Sequence, residues 1–205
     1  MISSQIVPED IAGFLLAGVL GYVIGSIPFG LILSRFAGLG DVRTIGSGNI
    51  GATNVLRTGR RDIALLTLFL DIFKGTAAVL LAAQAWNGTL GAAAGIGAFL
   101  GHVFPAWIGF RGGKGVATFL GVTIGLYWPA GAAFAVVWIT VALVFRYSSL
   151  AALAASVVAP LVVLIFSEPY WALVLAALAA ILWLRHLGNI RRLLAGEESR
   201  IGSRA

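Results

Sequence analysis

The chain contains no cysteine, which excludes disulfides, thiolate metal sites, iron–sulfur clusters and a cysteine nucleophile. It is also poor in charge. Only 11% of its 205 residues are Asp, Glu, Lys or Arg, against about 25% in a soluble globular domain. With 60% hydrophobic residues and a mean hydropathy of +0.99, it has too little polar surface for water, and most soluble enzymes are excluded. The net charge of +6 and pI near 10.5 do not point to nucleic acid, because the cations are scattered between apolar runs instead of forming one solvated stripe. A basic membrane protein that meets anionic lipids or anionic substrates is the simpler account. No motif calls for a metal or another cofactor, and no obligate protein partner is inferred.

What the chain has in quantity is apolar runs. A membrane-spanning helix needs about 20 apolar residues, and segments at 11–36, 63–86, 89–108, 116–128, 129–145, 149–166 and 170–187 predict seven spans in a single domain covering residues 1–205. The fourth is too short to cross upright. The start of the chain carries Glu9 and Asp10 where a signal peptide would be basic, so the first run is expected to span the membrane uncleaved. The charges alternate. Arg35, Arg43, Arg57, Arg60 and Arg61 flank the first connection, Arg111 and Lys114 the third, Arg146 the fifth, and Arg185, Arg191, Arg192, Arg200 and Arg204 the tail. The connections at 84–88, 127–129 and 167–169 hold no Lys or Arg. The positive-inside rule then predicts an all-α polytopic protein with a cytoplasmic C-terminus and, with an odd span count, an external N-terminus. Trp86, Trp107, Trp128, Trp171 and Trp183 fall near span ends, as interfacial aromatics do.

The polar chemistry lies in the basic connections. In the first, residues 43–57 interleave Gly46, Ser47, Gly48, Asn49, Gly51, Thr53 and Asn54 between Arg43 and Arg57. Small residues let backbone N–H groups approach an anion, and the arginines add bidentate contacts to phosphate. A hydrophilic turn-rich loop is the plainer alternative. In the third, Gly112, Gly113 and Gly115 surround Lys114 just before an apolar helix, an arrangement suited to phosphate at a helix N-terminus. It is not a Walker A motif, since Gly115 stands where Ser or Thr would bind magnesium.

In the tail, His186, Asn189 and Arg192 are spaced by three, so a helix continuing past the membrane would turn them towards one ligand. Inside the second span, Asp71 and Lys74 are spaced i, i+3, which predicts an internal ion pair. In the first span, Pro28 between Gly25 and Gly30 predicts either a kink or an unwound stretch lining a polar cavity.

In order along the chain, Gly25 to Gly30, residues 47–55 with Arg57, Asp71 with Lys74-Gly75, Gly101-His102 with Phe104-Pro105, residues 110–118, Arg146-Tyr147 with Ser149-Leu150, and His186 with Asn189-Ile190 resemble the bacterial integral-membrane glycerol-3-phosphate acyltransferase family that uses acyl phosphate, the PlsY type. The resemblance runs through almost the whole chain. It implies seven spans, an external N-terminus and a cytoplasm-facing site in the bacterial cytoplasmic membrane. It also implies transfer of a fatty acyl group from acyl phosphate to the 1-hydroxyl of sn-glycerol 3-phosphate. It implies catalytic roles for Lys114, Ser149, His186 and Asn189, and substrate binding by Ser47, Gly48, Asn49, Thr53, Asn54, Arg57, Gly112, Gly113, Gly115 and His102. Arg111 stands where the family often has Lys, and Glu197-Glu198 where it usually has Thr-Glu, so of the two acids only Glu198 keeps the pattern.

A mixed anhydride is already activated. The chain offers no Cys and no convincing Ser-His-acid order, so direct transfer without an acyl-enzyme is expected. His186 and His102 are candidate bases by chemistry, with a structural or orienting role the equal alternative for His102, which precedes Phe104-Pro105 near a span end, and the resemblance also permits a phosphate oxygen of the substrate to take the proton. The rival reading, a membrane transporter of phosphate esters or other anions, would also use glycine-broken helices around a cationic cavity. It fits less well because the polar loops gather on one face and no internal repeat supplies a second gate.

Overall fold

The computed structural model describes residues 10–202, and within them every regular element is helical. Glu9 and Arg204, used above for the chain start and the tail charge, lie outside the described residues. The first apolar run forms α1 (Asp10–Gly25) and α2 (Phe29–Phe36). Between them the backbone is unwound at 26–28, where Pro28 has no N–H to continue the ladder. A short helix α3 (Ala52–Val55) lies in the first long connection, followed by α4 (Arg61–Ala85), α5 (Gly88–Val103), α6 (Val116–Leu126), α7 (Trp128–Phe145), α8 (Ser148–Phe166), α9 (Pro169–Arg185) and α10 (Leu187–Leu194).

Among the described residues, five stretches are long and apolar enough to cross a bilayer, and a sixth is obtained if α9 and α10 count together. Helix α6 is the exception. Its 11 residues rise about 16 Å, roughly half of a 30 Å hydrocarbon core. It ends at Leu126 because Tyr127 is extended (φ −154°, ψ 94°), and Trp128 opens α7 with Pro129 in its first turn. The boundary expected between Trp128 and Pro129 therefore moves back by one residue. The tail also differs from expectation: α9 stops at Arg185, and α10 leaves it at 62°, so His186 sits at a corner instead of within a continuous helix.

Helix association in lipid has no hydrophobic driving force between apolar faces and depends on close packing of small residues. Helices α1 and α5 obey this closely. A methyl on Gly21 or Gly25 would overlap the carbonyls of Ala94 or Ala98, and one on Gly97 or Gly101 would overlap those of Gly18 or Tyr22. Helix α6 meets α4 in the same way, through Gly121 against the Ile72 carbonyl and Gly75 against Thr118. Phe119 and Val122 of α6 are fully buried. Phe119 packs edge-on to Phe99 at 6.4 Å and tilted against Phe134 at 5.7 Å, so the short helix is wrapped by its neighbours. The outward faces stay apolar: Leu65, Phe69, Leu143, Leu164 and Ile165 are all exposed, as lipid contact requires.

The connections at 86–87, 127 and 167–168 are short. Those at the opposite ends of the helices, 37–60 and 104–115, are long, and the segment after α10 returns to the same end. There, Ile201 N–H donates to the Arg146 carbonyl at 2.6 Å, bracing the left-handed Arg146 (φ 62°) between α7 and α8.

Candidate active site

The first long connection is organised from within. Asp41 accepts hydrogen bonds from the Arg43 backbone and guanidinium, and those bonds hold its carboxyl down to about 2. Arg43, expected to frame the loop beside Arg57, is thus committed to Asp41. Asn54 is buried at the loop's centre. Its Oδ1 accepts from Ser47 N–H at 3.1 Å and Ser47 Oγ at 3.3 Å, and its Nδ2 donates to the carbonyls of Val42 (2.7 Å) and Asn49 (2.8 Å). Asn49 Oδ1 in turn accepts from Gly51 N–H at 2.9 Å. With both its amide hydrogens used, Asn54 holds the loop in shape, and Gly46 and Gly48 take the left-handed turns (φ 54° and 68°) that this shape needs. Thr53 Oγ1 lies 3.2 Å from Ser148 Oγ, tying the loop to the start of α8, and Arg57 Nη2 donates to Ser199 Oγ at 2.7 Å.

The glycine-rich turn before α6 folds back onto the end of α5. Gly112 N–H donates to the Val103 carbonyl at 3.2 Å and Gly113 N–H to the His102 carbonyl at 3.0 Å. Gly115, at φ 89°, turns the chain into α6 against the Phe99 ring. Lys114 is thereby carried to α10, where its Nζ donates to Asn189 Oδ1 at 2.6 Å. Burial, with further repulsion from Arg192, Arg57 and Arg185, outweighs the attraction of Glu198 and lowers the Lys114 ammonium to about 8.

Glu198 sits where these elements meet. Its Oε1 accepts from Ser149 Oγ at 2.8 Å and Asn189 Nδ2 at 2.6 Å, and its Oε2 accepts from Arg192 Nε at 2.7 Å. Burial acts to raise its carboxyl, but those hydrogen bonds prevail and hold it below the usual range. Sequence reasoning left Glu198 without a role. The only signal for it was one acid at the family's tail position, and nothing in its spacing announced Ser149 as a partner. His186, buried at the α9–α10 corner, has Nδ1 at 2.8 Å from the Leu182 carbonyl. A carbonyl can only accept, so Nδ1 carries the proton and the neutral ring keeps its lone pair on Nε2. His102 is buried beneath the glycine turn with its Nδ1 3.5 Å from Asp71 Oδ1. Asp71 and Lys74 form the expected internal pair at 2.7 Å.

Lys114, Asn189, Ser149, Glu198 and Arg192 form one connected cluster, and Arg57 reaches it through Ser199, the neighbour of Glu198. His102 lies one layer below. Among the described residues, no group of three or more His, Cys, Asp or Glu is placed to hold a metal ion. Hydrogen-bond donors, cations and glycine backbone are thus gathered at one end of an apolar bundle, the layout of an integral membrane protein with a polar site at one end of its helices.

Residues 15–196 match the glycerol-3-phosphate acyltransferase family model. The chain is 57% identical over 191 residues to a glycerol-3-phosphate acyltransferase of Nitrobacter winogradskyi, covering 93% of this chain and 97% of that protein. It is 57% identical over 192 residues to one of Mesorhizobium japonicum, covering 94% and 98%. The crystal structure of PlsY, an integral membrane glycerol 3-phosphate acyltransferase, in its glycerol 3-phosphate form superposes with a TM-score of 0.86 at 36% identity, covering 92% of this chain and 96% of that one. The chain belongs to the glycerol-3-phosphate acyltransferase family, and it is a multi-pass membrane enzyme.

Proposed function

We propose that the chain transfers a fatty acyl group from acyl phosphate to the 1-hydroxyl of sn-glycerol 3-phosphate, giving lysophosphatidic acid and inorganic phosphate. The glycerol oxygen attacks the acyl carbonyl carbon, the bond from that carbon to the phosphate oxygen breaks, and phosphate leaves with the bonding electrons. The hydroxyl proton passes to His186 Nε2 or to a phosphate oxygen of the substrate. The observation that carries this reading is the convergence of Lys114, Asn189, Ser149 and Arg57, from four separate parts of the chain, at one end of the bundle. Lys114 and Arg57 bring positive charge to phosphate groups, and the Lys114 ammonium and the Asn189 amide can donate to the oxyanion that develops on the acyl carbonyl. Ser47, Gly48, Asn49 and Thr53 turn the first loop towards substrate, with Asn54 holding that loop in shape, and Gly112, Gly113 and Gly115 let substrate come close to the backbone of the turn. The Ser149 hydroxyl donates to Glu198 and not to a histidine, which favours direct transfer over an acyl-serine.

The same reading places the chain in the bacterial cytoplasmic membrane as one domain, with α6 counted as a seventh, incomplete crossing. The N-terminus is external, and the C-terminus and site are cytoplasmic. The alternation of basic and uncharged connections supports that orientation. Purified protein in detergent, given acyl phosphate and glycerol 3-phosphate, should release phosphate and lysophosphatidic acid in equal amounts. Product from acyl-CoA but not acyl phosphate would overturn the donor. Uptake of phosphate esters into liposomes without any product would favour a transporter.

A further inference from the structure

Beneath the glycine turn lies a group of ionisable residues that the reaction above does not use. Asp71 and Lys74 face each other on α4 at 2.7 Å, and His102 approaches the same Asp71 oxygen at 3.5 Å. All three side chains are 4% exposed or less. Charges are rarely buried at this depth unless they do something there. Lys74 also donates to the Ile27 carbonyl at 2.9 Å, in the unwound stretch between α1 and α2, and lies 5.5 Å over the Phe29 ring. That stretch holds the entry to the glycine loop as well. Trp107 Nε1 donates to the Ser26 carbonyl at 2.8 Å, and Tyr22 OH donates to the Phe104 carbonyl at 2.7 Å.

The imidazole of His102 is wedged on both sides. One face of the wedge is Asp71. The other is the backbone of the turn, so close that a methyl on Gly113 would overlap Nε2 and one on Gly112 would overlap the His102 carbonyl. The next residue is Lys114. An error in the height of residue 113 passes directly into the position of the ammonium, and a misplacement of about 1 Å can lower a rate about 100-fold.

We propose that Asp71, Lys74 and His102 are positioning residues for Lys114: the ion pair, braced on the broken first helix, fixes the imidazole, and the imidazole sets the level of the Gly112–Lys114 turn. A simple core ion pair would need neither the histidine nor the glycine fitted to it. The inference rests on Lys114 being a phosphate ligand for its catalytic consequence, but not for its geometry.

Two measurements test it. The first exchanges volume across the wedge. Gly113→Ala should lower kcat/KM for glycerol 3-phosphate about 100-fold. Adding His102→Gly makes room for the methyl and should recover at least about tenfold, a coupling typical of residues in contact. The second is independent of activity. The chain has two lysines, and Lys74 is buried, so mass spectrometry of amine-labelled protein reads Lys114 by its own peptide. Asp71→Asn and His102→Gly should each speed Lys114 labelling several-fold at pH 8 by loosening its bond to Asn189. A double variant no better than Gly113→Ala, or labelling at the wild-type rate in both single variants, overturns the proposal. If Lys114→Met keeps the wild-type KM, the phosphate reading of Lys114 fails instead, and the labelling result still decides the positioning.

Discussion

Lys114 and Asn189, 75 residues apart in the chain, meet at 2.6 Å, with the ammonium donating to the amide oxygen. The orientation of that amide is set from its other side, because Asn189 Nδ2 donates to the Glu198 carboxylate. A carboxylate cannot donate when ionised, so the amide has only one way round.

Asn189→Asp therefore places two carboxylates together. The new acid loses its donor to Glu198, and kcat/KM should fall by at least about 100-fold, since stranding a buried charged partner costs about 1–3 kcal/mol or more. Asn189→Ala should be as severe, with membrane insertion intact. Phosphate release near the wild-type rate in either variant would remove Asn189 from the site.

The pH dependence has a definite sign. Lys114 is protonated below about 8 and neutral above it, so kcat/KM for glycerol 3-phosphate should fall as pH rises through about 8, with the slope of a single deprotonation. Lys114→Arg stays charged throughout this range. It should lower the plateau but abolish the alkaline limb, and an unchanged limb would assign that titration to another group.

Glu198 and its neighbour Glu197 should separate cleanly. Glu198→Gln keeps the shape but turns an acceptor towards a donor, leaving Ser149, Asn189 and Arg192 to compete for one carbonyl oxygen. A loss of at least about tenfold in kcat and a lower melting temperature are expected. Glu197, which is exposed, should tolerate alanine with full activity. Equal effects at the two positions would contradict the hub role of Glu198.

Asn54→Ala leaves the Ser47 N–H and the carbonyls of Val42 and Asn49 without their partner. Each buried unsatisfied group costs about 1–3 kcal/mol. The loop should lose its shape, raising KM for glycerol 3-phosphate more than it lowers kcat. A variant with wild-type KM would show that the loop holds without it.

Because the chain has no cysteine of its own, single cysteines report topology directly. Trp86→Cys and Ser167→Cys should react with a membrane-impermeant maleimide on intact cells, whereas Arg60→Cys and Arg111→Cys should react only after permeabilisation. The reverse pattern would invert the orientation proposed above.

The apolar runs were legible because lipid imposes one composition on any segment that crosses it. The break at Pro28 was legible for the same local reason, a missing N–H. The glycine turn and the Asn189 face were also readable, since Gly112, Gly113, Gly115 and the i, i+3 spacing are local patterns. The bend at His186 was not, because Arg185 and Leu187 are ordinary helix formers and the corner is defined only once the tail packs. Glu198 was hidden for a related reason: its partners lie at 149, 189 and 192, and only folding joins the first of these to the rest. Arg43 and Asn54 show the limit from the other direction. Both were read as facing a ligand, whereas Asp41 and the loop backbone claim them.

The return of residues 197–202 to the α7–α8 turn has a consequence for biosynthesis. Ribosomes extend the chain from its N-terminus, so every long helix is synthesised before residue 198. A chain halted between the end of α10 and residue 198 carries the apolar helices but lacks the carboxylate that gathers Ser149, Asn189 and Arg192. Activity therefore waits on residue 198, and products truncated between α10 and that residue should be inert towards a reactive acyl donor.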